Sequence, residues 1–177
     1  MSILKIAQIG NPVLYQKAEA VDKIRPKDNL KDLIINMSET LIDAEGIGLA
    51  APQVYVSKRI IIFCIPEDEL SEEKINKNQE IKIHAIINPS YTNNDNDFED
   101  DWEGCLSIPG MLGKVRRFKN ITYQGYDLSG TLIKKEVSGL LARVIQHECD
   151  HLDGILYTQK LVDPTAFGSS QEIRKIM

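Results

Sequence analysis

The sequence is poor in cysteine, histidine and tryptophan, with three, three and one, and has no long apolar run. Each scarcity excludes something. An odd set of cysteines, Cys64, Cys105 and Cys149, does not make a disulfide framework, so free thiols or metal ligands are expected. The opening Met-Ser-Ile-Leu-Lys-Ile-Ala-Gln-Ile-Gly lacks a basic flank, an apolar stretch and a small-residue cleavage site. Secretion and organellar import gain no support, and a cytoplasmic location is expected. The longest apolar run, 60–65, is strand-sized and far short of the ~18 residues of a membrane span. Basic residues are outnumbered, 21 Lys and Arg against 26 Asp and Glu, and the net charge of −5 argues against a binder of nucleic-acid backbone. No internal repeat and no Pro, Gly or Ser linker divides the chain. What is there, 177 residues with 42% hydrophobic and 27% charged, suits one globular domain over 1–177. A chain of this size buries roughly 70% of its unfolded surface and needs no covalent staples.

The spacing of Leu30, Leu33, Ile34, Met37, Leu41 and Ile42 predicts a helix over 27–44, started near Pro26 and stopped by Gly46-Ile47-Gly48. Residues 59–65 read as a β-branched strand closed by Pro66, 67–80 as an exposed charged loop, and 81–88 as a second strand ending at Pro89. Asn93-Asn94-Asp95-Asn96-Asp97 reads as a solvated turn. Residues 119–127 and 131–137 suit a hairpin around Leu128-Ser129-Gly130. From Ser138 the period changes. Leu140, Leu141, Val144, Ile145, Glu148, Cys149 and Leu152 predict a mostly buried helix, capped by Ser138 and stopped by Gly154. The simplest account is a single α+β domain.

Inside that helix, His147-Glu148-Cys149-Asp150-His151 matches H-E-x-x-H. Positions four apart differ by about 40° around the axis, so both imidazoles can reach one ion. A catalytic metal site normally has three protein ligands and one open position. Cys105 and Glu172 are the candidates for the third. Cys105 is favoured, because the glycine beside it in Glu103-Gly104-Cys105-Leu106-Ser107-Ile108-Pro109-Gly110 permits close backbone approach and a thiolate binds zinc or iron well. Glu172 lies near a polar C-terminus. The segment Gly46-Ile47-Gly48-Leu49-Ala50-Ala51-Pro52-Gln53 is too small and apolar for a solvated loop, and lacks a phosphate-cradle layout. It suits a backbone rail for an extended peptide, with Gln53 offering an amide donor.

Together the three segments resemble the peptide deformylases, whose motifs G-φ-G-φ-A-A-P-Q, E-G-C-φ-S and H-E-φ-D-H occur in this order at 46–53, 103–107 and 147–151. The resemblance spans 46–154. It implies a single catalytic domain in which mixed or antiparallel sheets pack around a central helix carrying H-E-x-x-H. It further implies a metallohydrolase that removes the formyl group from formyl-methionine of newly made polypeptides and releases formate. Cys105, His147 and His151 would hold one divalent ion, Fe2+ in the cell, with Zn2+, Ni2+ or Co2+ in purified protein. Glu148 would take the proton from a metal-activated water and return it to the leaving amine, and the Leu106 N–H and Gln53 amide would meet the oxyanion. Ile47, Gly48 and Gly104 would pair with the peptide backbone. Ile47, Leu140, Arg143 and Val144 would surround the methionine side chain, Arg143 with its head outward. The implied partners are formyl-methionyl nascent chains and the ribosome near the exit tunnel, with no membrane or specific DNA, and the implied state is a monomer. Cys149 stands where the family usually has a larger apolar residue, and its phase, about 200° from His147, makes it a packing residue.

Other residues read as structural: His84 as a packed or edge histidine, Cys64 as a core filler, Trp102 as a shield or core residue, Arg116 and Arg117 as a solvated strand end. Two further readings compete. One is a thermolysin-like endopeptidase using Glu172; the other is a structural zinc site closed by His84 or Cys64.

Overall fold

The computed structural model describes residues 2–22, 30–64 and 82–177. The charged stretch 67–80 and the first residues of the expected helix at 27–29 lie outside them.

Five antiparallel strands, β1 (Gly48–Ala50), β2 (Ile60–Cys64), β3 (Ile83–Asn93), β6 (Asn120–Tyr126) and β7 (Leu132–Ser138), form one sheet in the order β1-β2-β3-β6-β7. Strand alternation gives this sheet two apolar faces. Ile61 and Phe63 of β2, with Ile86, Ile121 and Tyr123, meet Leu141, Ile145, Cys149 and Leu152 of α2 (Gly139–Leu152). Ile60 and Ile62, with Leu49 and Ile87, meet Ile34, Met37 and Leu41 of α1 (Leu30–Asp43). A second antiparallel sheet, order β4-β5-β8, is built from β4 (Phe98–Cys105), β5 (Ile108–Phe118) and β8 (Phe167–Ser169), and the single turn α3 (Ser170–Ile173) follows β8. Ala7, Leu14, Ile108, Val115, Leu156 and Tyr157 fill a third apolar cluster. The result is the expected α+β arrangement, with α2 between the two sheets. Among the described residues no helix is long and apolar enough to cross a membrane.

The β6–β7 hairpin and α2 form as expected, with Tyr126 opposite Leu132 and Gly154 at φ +73 just past the helix. Ser138 sits at the N-cap, yet its hydroxyl makes no capping hydrogen bond. The second strand does not end at Pro89. β3 continues to Asn93 through a register shift between Ile87 and Ser90, where Asn88 takes φ +52. A bulge tolerates a proline because it needs no ladder N–H, and asparagine accepts the left-handed conformation. The Asn88 side chain holds the bend by bonding both the N–H and the carbonyl of Val21, at 2.8 and 2.9 Å.

Candidate active site

α2 stacks His147 and His151 one turn apart, ring centroids 4.9 Å from each other. Cys105 arrives from β4, where a register shift after Glu103 breaks the ladder with β5 and re-aims the chain. Its Sγ lies 3.2 Å from His151 Nε2, and the donor atoms of Cys105, His147 and His151 all fall within 4.8 Å of one another. One thiolate and two imidazoles form a donor set suited to zinc or ferrous iron. Burial opposes ionisation of the thiol, but His151 and His147 outweigh it and hold Cys105 well below its usual range. The rival ligands are elsewhere: Glu172 is exposed and paired with Lys175 at 2.7 Å, His84 stacks on Phe63, and Cys64 packs at the edge of the α1 core.

Behind the histidines lies a buried ion network that the sequence reading missed. Glu103 Oε2 accepts from His147 Nδ1 at 2.9 Å, which fixes that ring and leaves Nε2 for the site. Arg117, only 3% exposed, donates to both Glu103 oxygens at 2.8 and 2.9 Å and also pairs with Asp150, which Lys160 reaches at 2.7 Å. The expectation of a solvated Arg116-Arg117 pair is thus half wrong: Arg116 faces solvent on Asp100, while the next residue on the strand faces inward. Arg143 is corrected likewise. It lines the cleft as expected, but its head turns inward, donating to Glu103 Oε1 at 2.8 Å and to the carbonyls of Val115 and Glu99. Glu103 on β4 bonds both guanidinium groups, Asp150 of α2 and two backbone carbonyls take their other N–H groups, and both side chains are buried. Burial alone would raise the Glu103 carboxyl; bonds from Arg117 and His147 overcome that and hold it well below the usual range.

A cleft of about 550 Å3 opens on the site. Every other expected substrate residue lines it: Ile47, Gly48, Gly104, Leu140 and Val144, with Trp102 beside them. Ile47 and Leu140 are about half exposed, at 48% and 40%, as the rim of an apolar slot should be. Among the described residues β1 pairs only with β2, which leaves its other edge open to an extended peptide. Gly48 is required on that edge, because a Cβ there would fall on the Glu148 carboxylate. Burial pushes the Glu148 carboxyl up to about 7, and its buried Oε2 has no partner among the described residues. Gln53, 1% exposed, accepts from Ala50 N at 2.8 Å and donates to Ser107 Oγ at 3.1 Å and Cys105 Sγ at 3.5 Å. Leu106 borders the cleft between Cys105 and Ser107. Cys149 is buried in the α2 core, and burial raises its thiol to about 12, as a packing residue requires.

The geometry can hold a divalent ion beside a carboxyl poised near neutrality, with a free strand edge alongside. The family model described as polypeptide deformylase matches residues 3–166. The chain belongs to the peptide deformylase family. Peptide deformylase 1 of Nitrosomonas europaea is 40% identical over 166 residues, 94% of this chain and 92% of that one. A crystal structure of the peptide deformylase from Thermotoga maritima agrees with a TM-score of 0.78 at 34% identity, covering 91% of this chain and 99% of the other. The peptide deformylase of Synechococcus elongatus, in complex with actinonin, agrees with a TM-score of 0.79 at 34% identity over 92% of this chain and 81% of the other. Peptide deformylases are metal-dependent hydrolases, and Cys105, His147 and His151 form the group in this member that could hold the ion.

Proposed function

We propose that this protein removes the formyl group from the N-terminal formyl-methionine of newly made polypeptides and releases formate, with residues 1–177 acting as one catalytic domain. One observation carries the reading: the donor atoms of Cys105, His147 and His151 converge within 4.8 Å, and Cys105 and His147 line a cleft that Glu148 lines as well. Those three residues would hold a divalent ion, which when bound would supply Lewis acidity toward water and the formyl carbonyl. Glu148, with its carboxyl near 7, takes the proton of the attacking water and returns it to the leaving amine. The Leu106 N–H, and the Gln53 amide once it gives up its long bond to Cys105 Sγ, donate to the developing oxyanion. Ile47, Gly48 and Gly104 hold the peptide backbone. Ile47, Leu140, Val144 and the stem of Arg143 enclose the methionine side chain, whose flexible thioether suits an apolar slot.

Fe2+ is the resident ion in this reading, with Zn2+, Ni2+ or Co2+ taking its place in purified protein; Cys105 then makes the site sensitive to oxygen. The enzyme acts as a cytoplasmic monomer on nascent chains, near the ribosomal exit. Formate release from a formyl-methionyl peptide tests the function. Release without cleavage of internal peptide bonds is the expected result; internal cleavage would instead indicate an endopeptidase.

A further inference from the structure

The cleft does not end at the methionine slot. Its floor runs from Cys105 to Gly104, and a Cβ on Gly104 would lie 3.2 Å from Leu112 Cδ2 and 3.7 Å from the Met111 carbonyl oxygen. Met111 pairs with Ser169 and Leu112 with Gly168, so β8 is the next strand across. α3 follows β8 directly and ends on Arg174, and both Ser170 and Arg174 line the cleft. Gly104 and Arg174 thus line one cleft, and a peptide whose formyl end lies at Cys105 can meet Arg174 on the same wall.

The charges along that path are unequal in availability. Glu103 and Arg143 neutralise each other in the buried network, and Glu148 sits buried at the floor. Glu45 and Arg174, both exposed, are the charged groups left on the cleft wall. Arg174 makes no ion pair among the described residues, whereas its neighbour Lys175 is taken by Glu172 at 2.7 Å. A guanidinium presents a fork that fits a carboxylate. Arg174 also lies beyond residues 3–166, the span matched by the family model. We propose that Arg174 makes the outer end of the cleft a carboxylate-reading subsite, so that the enzyme prefers formyl-methionyl peptides with Asp or Glu among the two residues after methionine. This preference rests on the deformylase reading above.

The test compares kcat/KM for C-terminally amidated formyl-Met-Ala-Ser, formyl-Met-Asp-Ser, formyl-Met-Ala-Asp and formyl-Met-Ala-Lys, amidation removing the competing terminal carboxylate. An exposed pair predicts that the better acidic peptide exceeds the neutral one by about two- to fivefold at low ionic strength, shrinking as salt is added. Arg174→Gln brings the acidic-to-neutral ratio to one and Arg174→Glu inverts it, while Lys175→Gln keeps it. A ratio of one in the unaltered enzyme, or the same ratio in Arg174→Gln, overturns the proposal while formate release still supports the deformylase. No formate from any peptide overturns both.

Discussion

The two faces of α2 are held by different forces. Toward the five-stranded sheet it presents Leu141, Ile145, Cys149 and Leu152 to Ile61, Phe63 and Ile86, an apolar contact without direction. Toward the three-stranded sheet it presents Arg143, His147 and Asp150 to Glu103 and Arg117 through directed hydrogen bonds and ion pairs. The apolar face sets where the helix lies; the polar face sets how His147 is turned. Substitution should therefore be tolerated on one face and costly on the other.

The largest effect is expected at the chemistry that the polar face supports. Glu148→Gln should lower turnover by about 100- to 10,000-fold while keeping close to one metal per chain, whereas Cys105→Ser should lose metal and activity together; elemental analysis beside the formate assay separates the two. Next comes the network itself. Arg117→Met leaves Glu103 and Asp150 buried without their shared partner, and a loss of about 3 to 5 kcal/mol is expected in denaturant unfolding. A loss no greater than that of an apolar-face variant would erase the contrast between the faces.

Gly48→Ala tests the opposite side of the site by displacing the Glu148 carboxylate. A shift near 1 Å predicts a kcat about 100-fold lower with metal content unchanged. The pH dependence follows from Glu103. Its folded value lies below its unfolded one, so its contribution to stability is complete above about pH 5 and is lost as pH falls toward the folded value. Thermal unfolding of the metal-loaded protein should show this acid arm, and Glu103→Gln should flatten it. The smallest effect belongs to the apolar face: Cys149→Leu or Cys149→Met should cost less than about 1.5 kcal/mol and preserve metal content. Arg116→Ala, beside the critical Arg117, should change neither the unfolding midpoint nor turnover measurably, since it pairs with Asp100 in water.

Legibility along the chain followed the range of the interactions. The period of Leu141, Val144, Ile145 and Leu152 announced α2, and the turn residues around Gly130 announced the β6–β7 hairpin, because each pattern is written within one element. β4 and β5 escaped notice. Glu99, Asp100 and Asp101 carry charge where a strand usually shows alternation, and Asp100 is stabilised by Arg116 across the ladder. Arg116 and Arg117 are chemically identical, so strand alternation and the position of Glu103 alone separate a solvated residue from a buried one. Arg143 was placed in the cleft correctly but aimed outward, since nothing near it in sequence announces the carboxylate on β4 that turns it in. The bulge at Asn88 likewise depends on Val21, far along the chain.

The chemistry of this protein was readable from the order of its residues: two histidines one helical turn apart, a glutamate between them and a cysteine among glycines state a metal hydrolase, because helical pitch and donor type are local properties. Folding settled which groups surround that site. It brought Cys105 within 3.2 Å of His151 across 46 residues, set Glu103 and Arg117 behind His147, and placed Arg174 on the cleft wall. Those contacts depend on strand register and on the angle between two sheets, and register is decided by the whole set of cross-strand partners at once rather than by any segment alone.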